Sequence, residues 1–249
     1  MTEEYLDKEM REEVKSSLRQ TTKKKPWDNY KAIRKGVTME PEEYISMVEK
    51  IANFDLKMAA FFSLLYLTGC RLQELTRYKY DGKYADKRDQ EQTRYKSAIQ
   101  VGDIKLEFDK ERKVYWLVIT TRVEKKKGKK EVLRQSYIIA DKNYSDGTFN
   151  YLYPLIEILE SYLTQNFSDS DNTTPLFTFH PSHVYDNTQK YLKLTPHAIR
   201  GMRAKHLVRR HNFDITALKS YFSWTDSTIA AEYASSEEKD IKRRLMGEK

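Results

Sequence analysis

The chain has 249 residues and a formal net charge of +8, enough length for one large domain or for one domain plus a small attachment, and a charge balance that suits a polyanion, nucleic acid ahead of an anionic membrane. Its one cysteine, Cys70, excludes an internal disulfide and a cysteine-rich zinc cluster, and fits a reducing, intracellular compartment such as the cytoplasm or nucleoid. The N-terminal MTEEYLDKEMREE lacks the apolar core of an export signal, and the longest apolar run, 58–67, is too short to span a bilayer, so DNA is the favoured partner and no membrane is expected.

In chain order, residues 1–36 read as a charged N-terminal arm or linker, with a solvated tail as the alternative: apolar positions are few, and TTKKKPW breaks any helix at Pro26. A compact domain is expected over 37–249, with a C-terminal tail from about residue 235. Thr38 followed by EPEEYISMVEKI resembles a capped helix start, with Pro41 in the first turn and acidic residues at the positive end. Leu56 to Leu67 is apolar on most sides and predicts a buried helix stopped by Gly69. Another helical turn or two follows from Arg71 to Tyr78, and residues 79–99 are polar enough for a loop or surface helix.

The period then changes. KVYWLVITTRV and EVLRQSYIIA carry β-branched and aromatic residues around a basic tip, EKKKGKK, which predicts a β-hairpin. Helices are expected again over Tyr151 to Asn166, Val184 to Tyr191, Pro196 to Arg210, Ile215 to Phe222 and Ser227 to about Ala234. The fold class is mostly α with a small antiparallel β-sheet.

Several residues carry chemistry. A transition state at a DNA phosphate puts extra negative charge on the non-bridging oxygens, and guanidinium forks match those oxygens in pairs. Arg71, just past the rigid buried helix, and Arg200 are the candidates, with Glu74 placed to orient the first. Thr195 and Pro196 open a helix as N-cap and first residue, which sets His197 and Arg200 on one face of its first turn. His197 can accept a proton or donate to a phosphate oxygen. Trp224 offers an indole donor or a wall, and Tyr233, nine residues on, a phenol nucleophile. A phenol titrates near 10, so cations or a base must activate it. Among Lys125, Lys126, Lys127, Lys129 and Lys130 on the hairpin tip, Lys126 or Lys127 is favoured as the acid that protonates the leaving oxygen, and the others suit phosphate contact.

These residues resemble the tyrosine recombinases, the phage- and plasmid-type integrases. TGCRLQEL (Thr68 to Leu75) is similar to the family's Thr-Gly-x-Arg-x-x-Glu-Leu box, His197 and Arg200 to its His-x-x-Arg pair, and Trp224 with Tyr233 to its His-or-Trp nine residues before the nucleophile. The hairpin lysine is matched in kind, and the resemblance covers roughly residues 37 to 240. Gly201 stands where the family often has His or Lys, and Ser223-Trp224 where Gly-His is more usual. Most members carry a helical core-binding domain ahead of the catalytic one; here about 35 residues precede it, so this is either a compact member or a chain without that domain.

The resemblance implies the tyrosine recombinase catalytic-domain fold and a site-specific DNA recombinase. Tyr233 would attack the scissile phosphate to give a 3′-phosphotyrosyl bond and a free 5′-hydroxyl, with no cofactor, metal or ATP, and a homo-tetramer would assemble on two DNA sites. The segment after Tyr233 would pack on a neighbour as a short helix, or remain a disordered tail. Two rivals stay open: type IB topoisomerase-like relaxation, and a catalytically silent DNA-binding module.

Overall fold

The computed structural model describes residues 39–76, 98–123, 132–224 and 227–234. The expected arm at 1–36, the polar stretch after Tyr78, the hairpin tip and the tail beyond residue 234 lie outside the described residues.

The described part is mostly helical, with one small antiparallel sheet, as the sequence implies. Helix α1 (Pro41–Ala52) starts from Glu40, which makes no side-chain cap; Pro41 occupies the first turn, and Glu42 and Glu43 face the positive helix end. The N-cap expected near Thr38 therefore falls at Glu40. Proline fixes where this helix begins, and a hydroxyl cap does not.

Helix α2 (Leu56–Thr68) is the centre of the core. Asp55 caps it by accepting from the Met58 N–H, and every residue from Met58 to Thr68 is buried. An apolar segment without a polar face has to be surrounded, and here α1, α4 (Tyr153–Phe167) and α6 (Pro196–His211) do so. Phe61, Phe62, Leu64, Leu65 and Leu67 are fully buried, and each such side chain stabilises the fold by about 1.5–3 kcal/mol. The helix ends at Gly69, whose φ of 56° is left-handed. Single-turn helix α3 (Leu72–Leu75) follows at once. It is shorter than the helix expected to run to Tyr78.

The sheet has three strands in the order β1-β2-β3, not two: β1 (Ile104–Asp109), β2 (Val114–Val123) and β3 (Val132–Ile139). The hairpin formed by β2 and β3 matches the expectation, with Thr121 opposite Arg134 and Ile119 opposite Ser136. Strand β1 was not expected. Four consecutive residues of it are exposed, including Leu106 and Phe108, so it lacks the inward-outward alternation by which a strand is recognised.

Helix α5 (Pro181–Asn187) runs into a π-helical turn, Thr188–Leu192. Helix α6 opens with Thr195 accepting from the Ala198 N–H and Pro196 in the first turn, as expected. Helices α7 (Ile215–Phe222) and α8 (Ser227–Ala234) also lie where the sequence places them. They pack with α6 around a second cluster of Ala204, Leu207, Val208, Leu218, Phe222 and Ala230. No helix among the described residues is long and apolar enough to cross a membrane.

Candidate active site

The site begins at the end of α2. Gly69 turns the chain there, and a side chain in place of its hydrogen would press a Cβ against Phe222 Cε1, so the ring would have to shift. This close approach leaves the Gly69 carbonyl free to accept from Arg200 Nη1 at 2.5 Å.

Two residues later Arg71 precedes α3. Its backbone N–H donates to Glu74 Oε2 at 2.9 Å, and its Nη1 donates to Glu74 Oε1 at 3.3 Å. One carboxylate thus holds both ends of the residue. Glu74 is buried, whereas the Arg71 side chain is 49% exposed, so the guanidinium is anchored from below and open from above.

Arg200 lies on the first turns of α6 and is only 4% exposed. Besides the Gly69 carbonyl, its Nη2 donates to the Phe222 carbonyl at 3.3 Å. Its guanidinium stands 4.8 Å from the Phe222 ring centre and 5.5 Å from that of Trp224. The two rings are stacked at 4.5 Å, forming a π-face against the cation. Burial, followed by repulsion from Arg134, pulls the Arg200 pKa down to about 10, so it remains a cation at neutral pH.

Sequence reasoning missed Arg134. It stands on β3, 4% exposed, with Nε donating to Thr121 Oγ1 at 3.2 Å and Nη2 to Glu74 Oε2 at 3.4 Å. A signal existed. Ile138, Ser136 and Arg134 alternate onto the buried face of the strand, so an inward arginine follows from the parity of the hairpin. Two guanidiniums, those of Arg71 and Arg134, therefore share the single carboxylate of Glu74, and Arg200 is held beside them by the Gly69 and Phe222 carbonyls, a neighbourhood rich in positive charge that suits an anion.

The structure brings Arg71, Arg200 and Trp224 into one neighbourhood through Gly69, Glu74 and Phe222. His197 is exposed on the first turn of α6, one turn before Arg200. Tyr233 falls within α8, a helix that packs on α6 and α7. Lys126 and Lys127 lie outside the described residues. Cys70 is buried, and burial with the nearby Glu74 carboxylate pushes its thiol up to about 12, so it is no nucleophile at neutral pH. No group of three His, Cys, Asp or Glu side chains suited to a metal occurs among the described residues.

Neither a protein-family model nor a curated protein matches the sequence. Solved structures do resemble the fold. The chain superposes on XerA recombinase with a TM-score of 0.53 at 18% identity, covering 85% of this chain and 63% of that one. It superposes on the XerH site-specific recombinase bound to palindromic difH substrate, a post-cleavage complex, with a TM-score of 0.55 at 13% identity, covering 84% and 52%. For the pre-cleavage complex of XerH with difH substrate the values are 0.52, 14%, 83% and 52%. The chain spans less than two thirds of the length of these proteins. At such identities the likeness speaks to architecture: the chain has the tyrosine recombinase catalytic-domain fold.

Proposed function

We propose that this chain is the catalytic part of a site-specific DNA recombinase of the tyrosine type, acting on double-stranded DNA in the cytoplasm or nucleoid. The observation that carries this reading is the convergence of Arg71 and Arg200 at the end of α2, with Trp224 stacked beside the second arginine. A half-exposed guanidinium on Arg71, with the buried Arg200 cation close by, suits a phosphate whose charge grows in the transition state. Structural likeness to XerA and XerH supports the same reading.

In this mechanism Arg71 and Arg200 bind the non-bridging oxygens. Trp224 adds an indole N–H or confines the nucleophile, and His197 accepts a proton or donates to a phosphate oxygen. The Tyr233 hydroxyl attacks phosphorus, the bond to the 5′-oxygen breaks, and Lys126 or Lys127 gives that oxygen its proton. The product is a 3′-phosphotyrosyl bond, which the 5′-hydroxyl of a partner strand then attacks, restoring Tyr233. Bond energy is conserved, so no ATP enters, and arginines supply the charge a metal would otherwise bring. A homo-tetramer on two DNA sites lets strands exchange. Residues 1–36 serve as an arm or linker, and 37–249 as the catalytic domain with its tail from about residue 235.

Relaxation of the topoisomerase IB kind shares every step except partner exchange, and a silent DNA-binding module shares none. Incubation with supercoiled plasmid in EDTA, followed by quenching with detergent, separates them. A covalent adduct that Tyr233→Phe abolishes supports the enzyme, and strand exchange between two sites supports recombination over relaxation. Equal binding by both proteins with no adduct from either supports the silent module.

A further inference from the structure

We infer that Arg134 is a positioning residue for the reaction just proposed, acting on Arg71 through Glu74. The inference rests on that functional reading for its consequence, though not for its geometry.

Arg71 faces a mechanical problem. An arginine side chain about half exposed has many rotamers, and a phosphate contact that must be made in the transition state needs one of them. Glu74 supplies the restraint by taking the Arg71 N–H and Nη1. However, Glu74 sits on a helix of a single turn, a weak foundation. Arg134 holds it from the other side: Nη2 reaches Glu74 Oε2, while Nε is tied to Thr121 on the adjacent strand. Thr121 and Arg134 are register partners in the β2–β3 ladder. The line Thr121, Arg134, Glu74, Arg71 therefore transfers the stiffness of the sheet to an open guanidinium.

Two further observations fit. Arg134 Nη1 is buried and has no hydrogen-bond partner among the described residues, an unfavourable state for a cation unless it has a use. Arg134 is also the strongest charged neighbour acting on Arg200, so both phosphate-facing arginines feel it. Among the described residues three guanidiniums lie near one carboxylate, and such a cluster gains when a phosphate arrives.

The test needs two readouts on the full chain. In the first, the Nε–H signal of Arg71 is followed by nitrogen-15 NMR, assigned by its loss in Arg71→Lys. Arg134→Met should move that signal to the position of a free, exposed arginine. A signal unchanged in Arg134→Met overturns the inference. In the second, adduct formation on supercoiled plasmid is timed. Arg134→Met should slow it on the order of 100-fold with DNA affinity unchanged. In an Arg71→Lys background the same change should cost less than about 2-fold, because the two residues act as one unit. Equal losses in both backgrounds overturn the inference. If Arg134→Met does not fold, Thr121→Val, which removes only the acceptor of Arg134 Nε, should shift the Arg71 signal in the same direction, and an unshifted signal overturns the inference. Wild-type protein that forms no adduct contradicts the recombinase reading, while the Arg71 signal still decides the clamp.

Discussion

Arg200 donates from Nη1 to the carbonyl of Gly69, a residue 131 positions earlier and two before Arg71. This bond joins the two arginine motifs, and it depends on Gly69 having no side chain. Gly69→Ala puts a Cβ against Phe222 and a left-handed φ under a residue that disfavours it. A loss of about 1–3 kcal/mol is expected, or a melting point lower by roughly 2–10 °C. Differential scanning calorimetry checks it, and an unchanged melting point contradicts the close packing described.

Arg200→Lys tests the fork. Lysine keeps the charge but cannot hold the Gly69 and Phe222 carbonyls together while lying against two stacked rings. A loss of about 1.5–3 kcal/mol of stability is expected from denaturant titration, and cleavage should fall more than DNA binding.

Trp224→Ala removes half of the π-face beside Arg200 and should cost up to about 2 kcal/mol, whereas Trp224→Phe should recover most of it. Paired melts of the two variants read the difference. A Phe variant that restores stability but not cleavage would assign the indole N–H a direct part in the chemistry.

Stability should depend on pH through His206. Tyr66 Oη lies 2.5 Å from its Nδ1, and Nε2 lies 3.2 Å from the Met39 carbonyl. Burial, reinforced by the Arg203 cation, lowers its pKa from 6.5 to about 3. The folded imidazole thus stays neutral where the unfolded one takes up a proton. Its contribution is intact above pH 6.5 and is lost as pH falls toward 3, at up to about 1.4 kcal/mol per pH unit. His206→Gln should flatten that slope in denaturant titrations at pH 7, 6, 5 and 4. An equal slope in the variant would place the acid sensitivity elsewhere.

How far the sequence carries can be judged from particular residues. Helix α2 was legible because thirteen residues without a polar face have one stable environment, and α6 because Thr195 and Pro196 mark its start. The hairpin followed from a change of period. Strand β1 was not legible, since Leu106 and Phe108 are exposed and its pairing with β2 is a tertiary choice. At the candidate site, Arg71, Glu74, Arg200 and Trp224 are bunched in short motifs, and motif spacing named them as candidates. Arg134 lies 60 residues from Glu74 and belongs to no motif. Only the strand register brings it under the carboxylate. The hairpin lysines remain where the sequence left them, as candidates in kind.

The central claim is that Tyr233 forms a covalent bond to a DNA 3′-phosphate. The most direct measurement is to trap the adduct from supercoiled plasmid in EDTA, digest it with protease and nuclease, and identify the modified residue by mass spectrometry. The account expects a 3′-phosphonucleotide on the peptide containing Tyr233, and no adduct from Tyr233→Phe. A modified residue elsewhere, a 5′-phosphate linkage, or an adduct that survives Tyr233→Phe would contradict it.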